Sequence, residues 1–179
     1  MGLKYKATKD GITITGYDGK IIDLVIPDAI DGIPVVAIDD HAFKYCYSLK
    51  SIKFPNSITK IGNYAFFFCL DLEEIKLPMN LKSVGDYAFM NVSKVEYIVI
   101  PKSVEDVGVY SFAFHSIYGI MKKIFLERKR VPKGWKSWHF DNVFVYLKDR
   151  WEYDENGIPV VKWMNEEEAY SFLEENKRL

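Results

Sequence analysis

The residues best able to do chemistry in this chain are two cysteines, three histidines and one run of cations. Cys46 and Cys69 stand 23 positions apart. Two thiols could form a disulfide, hold a metal or supply a nucleophile. No Cys-x-x-Cys and no Cys–His spacing accompanies them, which removes the usual metal patterns. His41, His115 and His139 are a thin supply for acid–base work. No His-Glu-x-x-His, Gly-x-Ser-x-Gly or phosphate-binding glycine loop is present. Carboxylates are plentiful, yet no spacing pairs two of them in a pocket. The chain therefore reads as a non-enzyme, with no cofactor and no metal expected.

The cations lie between Lys122 and Lys136: Lys122, Lys123, Arg128, Lys129, Arg130, Lys133 and Lys136, against Glu127 alone. Trp135, Trp138 and Phe140 are interleaved or close behind. Phosphate contacts beside stacking rings suit an anionic partner, so Arg128, Lys129, Arg130, Lys133, Lys136 and Trp135 form one candidate patch. The competing reading is a solvated rim facing an acidic tail. From Asp149 onward nine acids face four bases, and this pairing is preferred, so nucleic acid is the disfavoured partner.

The elements that must position these residues come from an ordinary globular composition. The 179 residues are 49% hydrophobic and 27% charged, with a net charge of -1, which gives no global pull toward nucleic acid or membrane. That length allows one domain, or one domain with an appendage. No apolar run approaches the roughly 20 residues needed to span a bilayer. The start "MGLKYKATKDG" has no apolar leader segment, and Lys6 replaces the Ser or Thr favoured after a myristoylated Gly2. As written, the chain reads as cytosolic, or as a piece lacking its targeting segments.

The cysteine spacing belongs to a larger pattern. "HAF", "YAF", "YAF" and "YSF" end at Phe43, Phe66, Phe89 and Phe112, always 23 residues apart. An apolar residue followed by proline recurs at Pro27, Pro55, Pro78 and Pro101. The first interval is 28 and the others are 23, so "DAIDGIP" carries a five-residue insertion. A fixed period of this size signals a solenoid. "LKSIKFP", "LEEIKLP" and "VEYIVIP" alternate as short strands with one buried face, each ended by proline. "SITKIG", "NLKSVG" and "SVEDVG" read as second short extended pieces. Gly62, Gly85 and Gly108 close them, where a turn is expected to require glycine, with Asp39 in the same slot of the first copy. "NYAFFFC" is expected to return as one turn of helix. Cys46 and Cys69 then become small core residues, and His41 takes the slot of Tyr64, Tyr87 and Tyr110. Phe67 and Phe68 are not required by the repeat; their counterparts are Lys44 and Tyr45, then Met90 and Asn91.

"LKSIKFPNSITKIGNYAFFFC" resembles a BspA-like leucine-rich repeat, and "DGIPV" in the opening segment resembles that family's first repeat. The likeness runs from residue 3 to about 130. It implies an α/β, β-rich, right-handed solenoid of about five repeats with short helical return legs, led by an N-terminal hairpin. Residues 1–130 are assigned to hairpin and repeats, and 131–179 to a C-terminal cap. In that cap, "VFVYLKD" predicts a strand, Asn156-Gly157 a hairpin turn, and "NEEEAYSFLEENKRL" a terminal helix with Asn165 as N-cap.

Residues alternating with the buried ones point off the strands: Val25, Ser51, Lys53, Glu74, Lys76, Tyr97, Val99, Lys123 and Phe125. Apolar Tyr97, Val99 and Phe125 beside Lys53, Lys76 and Lys123 have the look of an interface, unless the cap folds over them. The resemblance implies a surface or secreted recognition module whose partner is a protein. The alternative is an intracellular inhibitor or adaptor, favoured by two unpaired cysteines. An enzyme has the least support.

Overall fold

The alternating segments before each proline stack in parallel from coil to coil, as strands or, at Lys76, as a single bridge. The computed structural model describes residues 2–113, 122–132, 135, 143–162, 167–168 and 171–172. It is a β-solenoid of about five turns. One strand line contains β3 (Asp23–Val25) beside β6 (Ser51–Lys53), then a lone bridge from Lys76 to Val99. It continues through β9 (Tyr97–Ile100), β11 (Lys122–Leu126) and β12 (Val143–Tyr146), all parallel. A second line is β5 (Ile33–Ile38), β7 (Lys60–Ile61), β8 (Ser83–Val84) and β10 (Asp106–Val107). The expected N-terminal hairpin, β1 (Leu3–Thr8) and β2 (Gly11–Tyr17), docks on β5 and covers that end of the array. The insertion forms β4 (Ala29–Ile30), which folds back on β5 through Asp31 and Gly32, both at positive φ.

The return legs are not helical, and the α/β class does not hold: helix makes up 3% of the described residues. The reason lies in where the amides point. Tyr64, Phe66 and Phe68 donate their N–H groups to Asp86 O, Ala88 O and Met90 O of the next coil, at 2.8, 2.8 and 2.9 Å. His41, Phe43 and Tyr45 do the same one coil earlier. Directing alternate amides sideways requires left-handed backbone, found at Tyr64 (φ 55°) and Phe68 (φ 59°) and at their equivalents His41, Tyr45, Tyr87, Asn91 and Tyr110. Such φ values are costly for non-glycine residues and persist only when neighbouring structure fixes them. Here stacked coils supply that constraint.

The glycines that close the second strands have a different cause from the one expected. Gly62, Gly85 and Gly108 are absent from the positive-φ positions. A Cβ on Gly85 would sit 2.5 Å from Asn63 N and 2.6 Å from Gly62 C. Gly62 and Gly108 meet the preceding coil equally closely. They are glycines because the coils touch there. Asp39 holds the same slot and makes the equivalent bond, its N–H donating to Ile14 O at 2.8 Å, but its neighbour on that side is strand β2 of the hairpin rather than a repeat coil.

The core is a set of ladders. Phe43, Phe66, Phe89 and Phe112 stack at 5.2, 5.2 and 5.7 Å between centroids, all fully buried. Outside them run His41, Tyr64, Tyr87 and Tyr110. At the far end a second cluster joins Phe125, Tyr146, Trp151 and Phe172. It seats the hairpin of β13 (Trp151–Tyr153) and β14 (Pro159–Val161), whose turn includes Gly157 at φ 75°. Glu167, Glu168, Ser171 and Phe172 are helical; Asn165 and Lys177 lie outside the described residues.

Candidate functional site

Period-two alternation sends Glu74, Lys76, Tyr97 and Val99 to the outer side of the first strand line, above buried Ile75, Ile98 and Ile100. The C-terminal hairpin rises beside them. Between strand line and hairpin lies a groove of about 310 Å³. Its apolar lining includes Leu77, Met79, Tyr97, Val99, Tyr153 and Pro159, and its polar lining is Glu74, Lys76 and Glu127. Met79 is 55% exposed and Tyr153 45%. A second hollow, about 210 Å³, is bounded by Glu73, Glu74, Glu96 and Tyr97. The two share Glu74 and Tyr97, so they adjoin.

The charges here are unevenly compensated. Lys76 Nζ lies 2.9 Å from Glu74 Oε1. Glu127 Oε1 accepts the Tyr153 hydroxyl at 3.1 Å. Burial, then the Glu127 carboxylate, pushes the Tyr153 phenol up to about 12. Burial, then Glu74, raises Tyr97 as well, with Asp154 and Glu96 adding to the shift. Among the described residues Glu73 and Glu96 have no ion pair within 4 Å, and they act only at longer range on Lys94 and Lys122.

The strip read from the strands is divided by this arrangement. Tyr97 and Val99 are half-buried at the groove wall, and Lys53, Lys76 and Lys123 are exposed. Phe125 is 1% exposed, lying against Tyr146 and Trp151 at 5.2 and 5.3 Å, and a partner cannot reach it. Trp151, itself buried, donates Nε1–H to Leu126 O at 3.1 Å and fixes the hairpin over that part of the face. The hairpin contributes Tyr153, Gly157 and Pro159 to the groove. None of these lies in the repeat, so periodicity could not mark them.

The sequence pattern of the BspA type leucine rich repeat region matches residues 18–126 in six copies. The chain belongs to the BspA-type leucine-rich repeat family. Solved structures of similar fold agree. A leucine-rich repeat protein of T. pallidum is 26% identical, with a TM-score of 0.58, over 81% of this chain and 78% of the other. One from Bacteroides capillosus is also 26% identical at 0.58, over 70% and 94%. A structure named as a leucine rich cell surface protein, from Faecalibacterium prausnitzii, shares the fold at 19% identity and a TM-score of 0.50, over 90% and 60%. No curated protein is significantly similar.

BspA-type repeat packing also accounts for the other residues singled out by type. Cys46 and Cys69 are free thiols. Cys69 is buried, donates to Phe43 O at 3.2 Å, and is pushed far up by desolvation. His41 stacks on Tyr64 at 5.0 Å; His115 and His139 lie outside the described residues. Of the cationic patch, Arg128 turns its guanidinium to the carbonyls of Lys102 and Val104. Trp135 donates Nε1–H to Glu105 O at 3.2 Å. Lys129 and Arg130 are exposed, and Lys133, Lys136, Trp138 and Phe140 lie outside the described residues. Among the described residues no group of three His, Cys, Asp or Glu side chains is placed to hold a metal. No described helix is long and apolar enough to cross a membrane.

Phe67 and Phe68 meet Tyr45 edge-on at 5.7 and 6.0 Å on the return-leg side. Residues missed entirely by sequence reasoning are Asp40, Asn63 and Asp86. Their side-chain oxygens accept from Asn63 N, Asp86 N and Val109 N, at 2.7, 2.8 and 2.7 Å. Their 23-residue interval is legible once sought, but a single polar column is hidden among solvent-facing residues of mixed type.

Proposed function

We propose that this protein recognises another protein, without catalysis, through the groove between Lys76, Tyr97 and Val99 and the C-terminal hairpin. The carrying observation is the convergence there of exposed Met79 and Tyr153 with half-buried Tyr97 and Val99 in one concavity. Partly exposed aromatic and thioether side chains with a charged rim are what interface cores use. Stacked repeats of this family present such faces as protein-binding modules. A cell-surface setting is the favoured one, supported by family and by the name of the Faecalibacterium neighbour. The intracellular inhibitor or adaptor is the second reading, supported by two free thiols.

A photo-reactive side chain at Met79, compared with one at exposed Lys60 on the other strand line, tests the face. Adducts with one defined protein from Met79, absent from Lys60, are expected in lysate or on host-cell surfaces. Equal labelling from both positions, or none from Met79, would refute it.

A further inference from the structure

We infer that the groove takes an extended peptide carrying an apolar side chain and, two positions away, a lysine or arginine. This rests on the groove being the recognition face, and names the chemistry of its occupant. The apolar part follows from the lining: Leu77, Val99 and Pro101 with Met79, Tyr153 and Pro159 offer a hollow of about 310 Å³. That space readily admits a leucine- or methionine-sized group.

The cationic part follows from the adjoining hollow. It is lined by Glu73, Glu74, Glu96 and Tyr97. Among the described residues the lining of both hollows holds four acids, including Glu127, and one base. That base, Lys76, is already engaged by Glu74 at 2.9 Å. Lys53 and Lys123 are exposed on the same strand line but line neither hollow. Lys94 and Lys122 act on Glu73 and Glu96 from a distance but line neither hollow. An incoming cation would meet Glu73 and Glu96 there, and its aliphatic stem would lie along Tyr97, the geometry that favours arginine on an aromatic face. The hollows share Tyr97 and Glu74 and so adjoin; the occupant is assigned side chains at i and i+2 because these are the nearest pair on one side of an extended segment, about 7 Å apart.

The probes are capped pentapeptides Gly-Leu-Ser-Arg-Gly and Gly-Leu-Ser-Glu-Gly, with Gly-Ser-Ser-Arg-Gly and spermine as controls, titrated by NMR on the Tyr97 ring. The Leu-Ser-Arg peptide is expected to bind at about 1 mM, as a short flexible ligand should. It should bind about tenfold tighter than Leu-Ser-Glu. Glu73→Gln with Glu96→Gln, both exposed and outside the core, should remove that difference. Each lost surface attraction is expected to contribute about threefold, and the effect should fade in about 0.5 M salt. If the Arg and Glu peptides move Tyr97 alike, the groove remains the binding face and the basic occupant is overturned. Binding of spermine or Ser-Ser-Arg equal to that of Leu-Ser-Arg would overturn the paired apolar–basic motif. No shift by any peptide, with Met79 crosslinking intact, also overturns the inference alone. Concentration-dependent Tyr97 shifts without peptide, lost in the double variant, would make a second copy the occupant and overturn it too.

Discussion

Replacing Gly85 by alanine tests how the coils are held together. The added Cβ would lie 2.5 Å from Asn63 N, 2.6 Å from Asn63 Oδ1 and 2.6 Å from Gly62 C. Two of these are backbone atoms, which no rotamer change can move aside. To reach the 3.4 Å of ordinary contact, the two coils must part by about 0.9 Å, and interiors packed to crystal density resist this. That opening stretches two bonds spanning the same junction: Gly85 N to Ile61 O and Asp86 N to Asn63 Oδ1, both 2.8 Å. Overpacking costs about 1–3 kcal/mol, and each weakened hydrogen bond about 0.5–1.5 kcal/mol. The expected loss is thus centred near 4 kcal/mol, roughly half the stability of a typical domain. Urea unfolding followed by circular dichroism reads this as a lower midpoint at unchanged slope. Gly157→Ala is the comparison: that glycine has φ 75° but open space around it, so backbone strain of about 1–2 kcal/mol is all it should lose. A Gly85→Ala midpoint within error of the parent would refute the contact argument. So would a Gly85→Asn variant healthier than Gly85→Ala, because asparagine relieves left-handed strain and not crowding.

Four further outcomes are expected. Phe125→Ser should destabilise the fold by about 3–5 kcal/mol as a core cavity, whereas Tyr97→Ser, which removes a half-buried ring at the edge of that cluster, should cost only about 1–2 kcal/mol and weaken partner capture. Asn63→Ala removes the acceptor of the Asp86 N–H and should cost about 1–2 kcal/mol in the same urea experiment. Cys69 should resist a bulky thiol reagent in the native protein, with half-buried Cys46 reacting first. Because burial raises the Cys69 pKa above the ordinary 9.0, its contribution is whole below that pH; stability should fall as pH rises above it, since the unfolded thiol ionises first, and Cys69→Ala should flatten that decline.

The solenoid was legible in the sequence because its ladders are chemical copies: Phe43, Phe66, Phe89 and Phe112 repeat in type as well as interval. The return leg was not, since one turn of helix and a left-handed stacked turn share the same apolar spacing. What separates them is whether the amide of Tyr64 seeks a partner within its own turn or on Asp86, a non-local fact. Gly62, Gly85 and Gly108 stood out as necessary, though by crowding rather than by φ. At the candidate site, alternation placed Lys76, Tyr97 and Val99 together. It could not reveal that Trp151 covers Phe125, or that Arg128 turns back to the carbonyls of Lys102 and Val104. Those contacts come from segments that do not repeat, where a single sequence carries no self-comparison.

The sideways amides of the return leg have a consequence for how such a chain can change length. Each of these sideways donors finds its acceptor one coil on, so a single inserted residue there would misalign all later rungs at once. A duplicated block of 23 residues would misalign none. It would lengthen the rod by about the 5.2 Å that separates successive phenylalanine rings. The corner before β5, which already accommodates "DAIDGIP", is where partial insertions are absorbed. Since the groove is made by the last coils and the C-terminal hairpin, blocks added ahead of Lys53 would move the N-terminal end away and leave Tyr97 and Tyr153 facing each other. Reach and specificity are in this molecule separately heritable.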